Sequence, residues 1–158
     1  MNVRMHYLHL LHASFRRNSG VPPSHKTISR SIADWVLFRE YWDDSDSMEA
    51  LASRIGVPRE EVATFIRSRL GERFLTLRKR LRVHDAGELL IHSPGLPLAE
   101  IARMVGFQDK SDFRKAFVEE KGMLPREWRE CRGSRMRYGI RRFLGEDRSH
   151  CPGQHTNA

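Results

Sequence analysis

Leu98-Ala99-Glu100-Ile101-Ala102-Arg103-Met104-Val105-Gly106-Phe107, followed by Gln108-Asp109-Lys110-Ser111-Asp112-Phe113-Arg114-Lys115-Ala116-Phe117, is the stretch that decides the fold. Leu98, Ile101, Ala102 and Val105 fall at i, i+3, i+4 and i+7, the spacing that lines one face of a helix, and Gly106 stands where a left-handed C-cap ends one. Phe113 and Phe117 then form the inner seam of a second helix, whose other face carries Lys110, Ser111, Arg114 and Lys115. An apolar helix, a glycine turn and a second helix with a cationic outer face make the pattern of a helix-turn-helix, whose second helix fits a major groove.

The same pattern occurs once before. Met48, Leu51, Ala52, Ile55, Gly56 and Val57 match Leu98, Ile101, Ala102, Val105, Gly106 and Phe107 at an offset of 50. Beyond the turn the offset becomes 51, with Val62 matching Phe113, Ile66 matching Phe117 and Gly71 matching Gly122. One extra residue in the second turn accounts for the change. A repeat that keeps apolar class and glycine positions through two helices indicates two copies of one supersecondary unit. Alanine at 52 and 102 suits a close helix crossing, and each glycine suits a turn with positive φ.

Between the copies, the spacing predicts a long helix over 74–91. At 100 degrees per residue Phe74, Leu77 and Leu81 gather on one side, whereas Val83, Ala86 and Leu90 lie on roughly the opposite side further along. One helix thus serves two cores and is expected to fix their separation. Ser93-Pro94-Gly95 ends it, and Pro97 opens the next. Ahead of the first copy a helix is predicted from about Ile28 to Trp42, with Ser31 and Asp34 at capping-box spacing, then a turn at 43–47 whose Ser47 caps the following helix. A short helix from Pro125 to about Cys131 brings Trp128 to the second core.

The two ends read differently. Residues 1–26 hold Arg4, Arg16, Arg17 and Lys26 without an acid, four histidines and the breaker Gly20-Val21-Pro22-Pro23, the composition of a basic arm or linker. His6, His9 and His12 sit three apart, converge only loosely on a helix, and are read as solvated rather than metal-binding. Residues 132–158 form a basic tail rich in arginine, suited either to phosphate contact or to solubilisation. His150-Cys151-Pro152-Gly153-Gln154-His155 fits no common zinc spacing.

Across 158 residues, 28 Lys plus Arg against 20 Asp plus Glu leave a charge of +8, which favours a polyanionic partner. No apolar run reaches bilayer length, and the stretch 7–11 is too short for a signal sequence, so a cytoplasmic, nucleoid-associated protein with no membrane partner is expected. Two cysteines, Cys131 and Cys151, make a disulfide framework improbable. No Ser/His/Asp set, phosphate-cradling glycine loop or paired-carboxylate site stands out. The chain is therefore read as a non-enzyme without cofactor or metal.

The span from about Trp35 to Glu130 resembles the DNA-binding domain of the AraC/XylS family of bacterial transcription regulators. The residues that carry the resemblance are Ile101-Ala102-Arg103-Met104-Val105-Gly106-Phe107, Ser111-Asp112-Phe113, Ala116-Phe117, Lys121-Gly122, Pro125 and Trp128-Arg129, with Leu81-Arg82-Val83, Ala86 and Leu89-Leu90 upstream. The resemblance implies an all-α, homeodomain-like fold of about seven helices: a basic arm 1–26, a DNA-binding domain 27–131 (first unit 27–71, linker helix 72–92, second unit 97–131) and the tail. It implies that two recognition helices enter successive major-groove segments of promoter or operator DNA. Base-reading positions carried over are Glu60, Ala63, Thr64 and Arg67, and Lys110, Ser111, Arg114 and Lys115. Phosphate contacts are expected from Arg59, Arg69, Arg73 and Arg129, and from the helix starts near Pro58 and Asp109. RNA polymerase is a candidate protein partner, and a monomer is compatible with the sequence.

Several positions depart from the family pattern. Ala63 and Thr64, beside Glu60 and Glu61, replace the polar or basic residues usual in a first recognition helix, which offers no bidentate guanine contact there. Leu124 stands where a capping Ser or Thr is usual, a loss of roughly 1 kcal/mol, and Arg78 where an aliphatic residue is usually buried. Asp112 and Val118 replace a common aromatic and a common lysine. These departures, with Glu119-Glu120, motivate an alternative: a protein-interaction module that keeps the fold without selective DNA reading.

Overall fold

In the computed structural model, which describes residues 3–16, 23–43 and 45–132, all regular structure is helical. The order is α1 Val3–Arg16, α2 Pro23–Leu37, a 3-10 turn Glu40–Trp42, α3 Met48–Ile55, α4 Arg59–Leu70, α5 Phe74–His92, α6 Leu98–Met104, α7 Lys110–Lys121 and α8 over 125–132. The chain divides into two compact units, 1–82 and 83–158, with the boundary inside α5.

The first unit is built on α2, α3, α4 and the start of α5. Ile28, Ile32, Trp35 and Val36 bury one face of α2 against Leu51, Ala52, Val62, Phe65 and Ile66, and Phe74, Leu77 and Leu81 of α5 join the same core. Ser47 caps α3 by accepting from the Ala50 amide at 3.1 Å, as its position predicts. Buried polar groups tie down the segment between α2 and α3. The Trp35 indole donates to Asp46 Oδ2 at 2.7 Å, and Arg82 donates through Nε to the Tyr41 carbonyl at 2.5 Å and through Nη2 to that of Asp43 at 2.9 Å. Arg78 keeps its charge where an aliphatic residue was expected by donating to the Asp46 carbonyl, with its guanidinium 5.8 Å from the Phe74 ring centre.

Residues 1–26 correct the sequence reading. Instead of a basic arm, this segment contains α1, packed on α2 and α4, and Tyr7 and Leu11 are buried in the first core. The physical reason is an apolar seam of Val3, Tyr7, Leu8, Leu10 and Leu11, masked in composition by the intervening arginine and histidines, which face out at His6, His9 and His12. The Ser29 hydroxyl donates to the Leu11 carbonyl at 3.2 Å, and the Tyr7 hydroxyl donates to Glu72, itself paired with Arg80 at 2.8 Å. Burial, then the Glu72 bond, raises the Tyr7 pKa far above that of an ordinary phenol. Helix α2 starts at Pro23, so Ser31 and Asp34 lie in its interior rather than forming a capping box; proline suits a first helical turn because its missing N–H would be unpaired there anyway.

The second unit comprises the later half of α5 with α6, α7 and α8. Val83, Ala86 and Leu90 are buried with Ile101, Ala102, Val105, Phe113, Ala116 and Phe117. The rings of Phe107, Phe113, Phe117 and Trp128 follow one another at 5.4, 5.6 and 5.9 Å between centroids. Trp128 arrives as the sequence predicts, and its indole donates to the Gly87 carbonyl at 3.2 Å. The Lys121 ammonium and the Arg132 guanidinium stand over that ring at 5.0 and 4.6 Å from its centroid, and burial lowers the Lys121 pKa. Leu124 supplies no side-chain cap, but its amide is bonded by Glu127 at 2.8 Å, the returning half of a capping box. The tail arginines beyond Arg132, and Cys151 with its neighbours, lie outside the described residues.

Asp46 generates a stability prediction. Its carboxyl is buried, which raises its pKa against the opposing effects of Trp35, Arg54 and Arg78. A raised folded-state pKa means that this group's contribution is fully present at low pH and is lost as pH rises through its titration. Asp46→Asn keeps an acceptor for the indole and removes that loss, so in urea unfolding its stability relative to wild type should rise from acidic to neutral pH. Asp46→Ala leaves the buried Trp35 N–H unpaired and should cost about 1 to 3 kcal/mol in the same measurement.

Candidate nucleic-acid interface

The two helix-turn-helix copies share the hydrogen bond that closes the turn between their helices. Gly56 and Gly106 adopt φ of 75° and 88°, and the amide after each, Val57 and Phe107, bonds back to the carbonyl of Ala52 and Ala102 at 3.3 and 2.9 Å. This is the six-residue closure that ends a helix through a left-handed residue. The added residue falls before the second helix: α4 follows Pro58 and α7 follows Asp109, so Arg59–Leu70 and Lys110–Lys121 have equal length. Each helix closes on Gly71 or Gly122, whose amides reach the Arg67 and Val118 carbonyls at 3.2 and 2.8 Å.

Burial on one side of α4 and α7 determines what the other side presents. In α7, Phe113, Ala116 and Phe117 face inward, leaving Lys110, Ser111, Arg114 and Lys115 exposed together. The three cationic side chains among them make no ion pair with described residues. In α4, Val62, Phe65, Ile66 and Leu70 face inward; Glu60, Thr64 and Arg67 are exposed, and Ala63 is half-buried beside them. All eight sequence-assigned reading positions therefore lie on the outward sides of the two second helices, with Ala63 the least accessible.

The basic residues assigned to phosphate separate into two groups. Arg69 and Arg73 are exposed and unpaired among the described residues. Arg59 is exposed but held by Glu49 at 2.7 Å, and Arg129 is half-buried, with Nη2 donating to the Leu96 carbonyl at 2.6 Å. Arg129 thus fastens α8 to the loop before α6. The helix starts also differ. Asp109 caps α7 by accepting from the Ser111 and Asp112 amides, which occupies groups expected to meet a phosphate, whereas α4 has no side-chain cap. The cap was legible in principle, since aspartate one residue ahead of a helix is a preferred N-cap. The long pairs of Arg59 and Arg129 have no local signal.

Among the described residues, no helix is long and apolar enough to cross a membrane, and no group of three or more His, Cys, Asp or Glu is placed to hold a metal ion. Cys131 is half-buried in α8.

Duplicated helix-turn-helix units sharing one long helix define the class, a double helix-turn-helix domain. The family described as "Helix-turn-helix domain" matches residues 51–130, just over half of the chain. The RCS-specific HTH-type transcriptional activator RclR of Escherichia coli is 36% identical over 84 residues, and the ornithine utilization regulator of Pseudomonas aeruginosa 33% identical over 92. Those alignments cover 53% and 58% of this chain but only 29% and 22% of the two relatives. Among solved structures, the C-terminal domain of AraT, a response regulator from Geobacillus stearothermophilus, is 27% identical, with a TM-score of 0.60 over 72% of this chain and 89% of that one. An AraC-type regulator from Chromobacterium violaceum shares the fold at 22% identity, with a TM-score of 0.60 over 73% of this chain and 96% of that one. The chain belongs to the AraC/XylS family of helix-turn-helix proteins, a family of transcription regulators rather than enzymes.

Because the Asp109 side chain caps α7, Asp109→Ala should lower stability by about 1 kcal/mol. Asp109→Asn should hold it, and thermal melting distinguishes the pair.

Proposed function

We propose that this protein is a sequence-specific DNA-binding transcription regulator, with α4 and α7 entering successive major-groove segments of promoter or operator DNA. The observation that carries the proposal is the outer face of α7. Lys110, Ser111, Arg114 and Lys115 are exposed side by side on the second helix of a helix-turn-helix, and the net charge of +8 suits a polyanion. The named functions of the Escherichia coli and Pseudomonas aeruginosa relatives support the same reading.

Within it, α7 is the stronger reading head. Arg114 and Lys115 have the donors for guanine O6 and N7, while Thr64 and Ala63 offer α4 little beyond contact with a thymine methyl. Arg67, Arg69 and Arg73 position the first unit on phosphates, and Arg59 does so from its pair with Glu49. RNA polymerase is a candidate second partner, as for any promoter-bound regulator.

Glu60 and Glu61 in the first turn of α4 favour one competing reading, a protein-interaction module without selective DNA binding. Affinity against salt separates the two: a DNA reader loses affinity steeply as salt rises and still prefers one sequence over competitor, whereas the module binds duplex weakly and without preference. Selection of bound sequences from a random duplex pool tests the proposal directly. A bipartite motif with parts about one helical turn apart is the expected outcome, and no enrichment would refute it.

Replacing Arg114 or Lys115 with Ala should weaken binding to the selected site by about 1 to 3 kcal/mol and relax preference at one base position. An equal loss on random duplex would reassign that side chain to phosphate.

A further inference from the structure

We propose that Val118 is a further base-reading position of α7 and that it selects the 5-methyl group of a thymine. The inference rests on the reading of α7 as a major-groove helix and names a base that this helix prefers.

The register of the repeat gives the first support. At the offset of 51 that relates α4 to α7, Glu60, Ala63, Thr64 and Arg67 correspond to Ser111, Arg114, Lys115 and Val118. Hydrogen bonds at the helix ends agree. Gly71 and Gly122 adopt φ of 75° and 72°, and their amides bond to the Arg67 and Val118 carbonyls at 3.2 and 2.8 Å. Arg67 and Val118 thus occupy one place in one motif, both exposed on the outward side of their helix. An arginine there has the reach to leave the bases for a phosphate. A valine has neither that reach nor a charge, so it meets only what lies directly over it.

The second support is the position of Val118 around α7. It is the one exposed apolar residue of this helix, at 38%, whereas Phe113, Ala116 and Phe117 are buried. At about 100° per residue it lies about 20° around the axis from Ser111, about 40° from Arg114 and about 60° from Lys115, and roughly opposite Phe113 and Ala116. The exposed acids Asp112 and Glu119 are about 120° and about 100° away, on the flank beyond Lys115. Along the axis Ser111 and Val118 are about 10 Å apart, which matches about three base-pair steps.

Chemistry then selects the base. Thymine alone among the four bases presents a methyl group in the major groove, and apolar contact with it is the one readout open to a valine. Over an amino or carbonyl edge the same side chain would remove water without replacing its hydrogen bond. Arg114 and Lys115 therefore supply guanine contacts, and Val118 adds a neighbouring thymine.

The test uses the full chain and the duplex it selects from a random pool, with each thymine replaced in turn by deoxyuridine, which pairs identically and lacks the methyl group. One replacement should weaken wild-type binding by about fourfold, the worth of one methyl group withdrawn from water. Val118→Ala should bind the unmodified duplex about fourfold more weakly and should no longer respond to that replacement, while responding like wild type at every other thymine. Its affinity for random duplex should be unchanged, and so should its melting temperature, because the site is exposed and alanine is the better helix former. Three results would each overturn the assignment while leaving the reading of α7 in place: a selected duplex that no deoxyuridine replacement weakens, a Val118→Ala protein that binds it like wild type, or one that stays as sensitive as wild type at every thymine. Failure to select any sequence would remove that reading and the inference with it.

Discussion

Everything outward-facing in this protein depends on how each helix-turn-helix turns its corner. The chain leaves α3 and α6 through a residue at positive φ, which an L side chain adopts only at a cost, and glycine stands there in both copies. Once the left-handed residue is set, the next amide closes on an alanine carbonyl five residues back, and the entry of the second helix is fixed. The alanines at 52 and 102 are buried at that same crossing. Their small size lets the two helices approach, so the inward faces of α4 and α7 are pinned and the opposite faces must look out.

Identical frames then carry different chemistry. The extra residue before α7 lets Asp109 cap it, which stabilises the helix start and adds negative charge beside Lys110, Arg114 and Lys115. Helix α4 begins after Pro58 with no cap, and with Arg59 paired to Glu49 its first turn is left net negative by Glu60 and Glu61. A helix start without a cap keeps free amides for a phosphate, whereas a capped one presents its side chains instead. The two units are thus suited to unequal shares of positioning and reading, an asymmetry that the frame itself does not impose.

The repeat was legible because its signals are local. Apolar spacing, glycine position and helix length each sit within a dozen residues, and the shift from offset 50 to 51 reappears in the hydrogen bonds. The two-faced pattern of α5 was equally plain, since burial at Phe74, Leu77 and Leu81 and then at Val83, Ala86 and Leu90 follows helical phase. Helix α1 was not legible as an element, because its seam is interrupted by histidines and followed by a proline-rich breaker that composition reads as a boundary. The role of Arg129 was hidden for another reason: its partner, the Leu96 carbonyl, lies 33 residues away and is a backbone atom, which no side-chain pattern announces.

The position of α1 and α2 changes what counts as the first unit. The family match begins at Leu51, yet the core around α4 is completed by Tyr7, Leu11, Ile28, Ile32, Trp35, Val36 and Tyr41, all upstream of it. Removing such side chains from a packed core leaves cavities that neighbouring groups fill only in part. The orientation of α4 therefore rests on residues that share no part of the matched pattern. Their inner faces are constrained by packing, while the outer face of α2 is under no such demand.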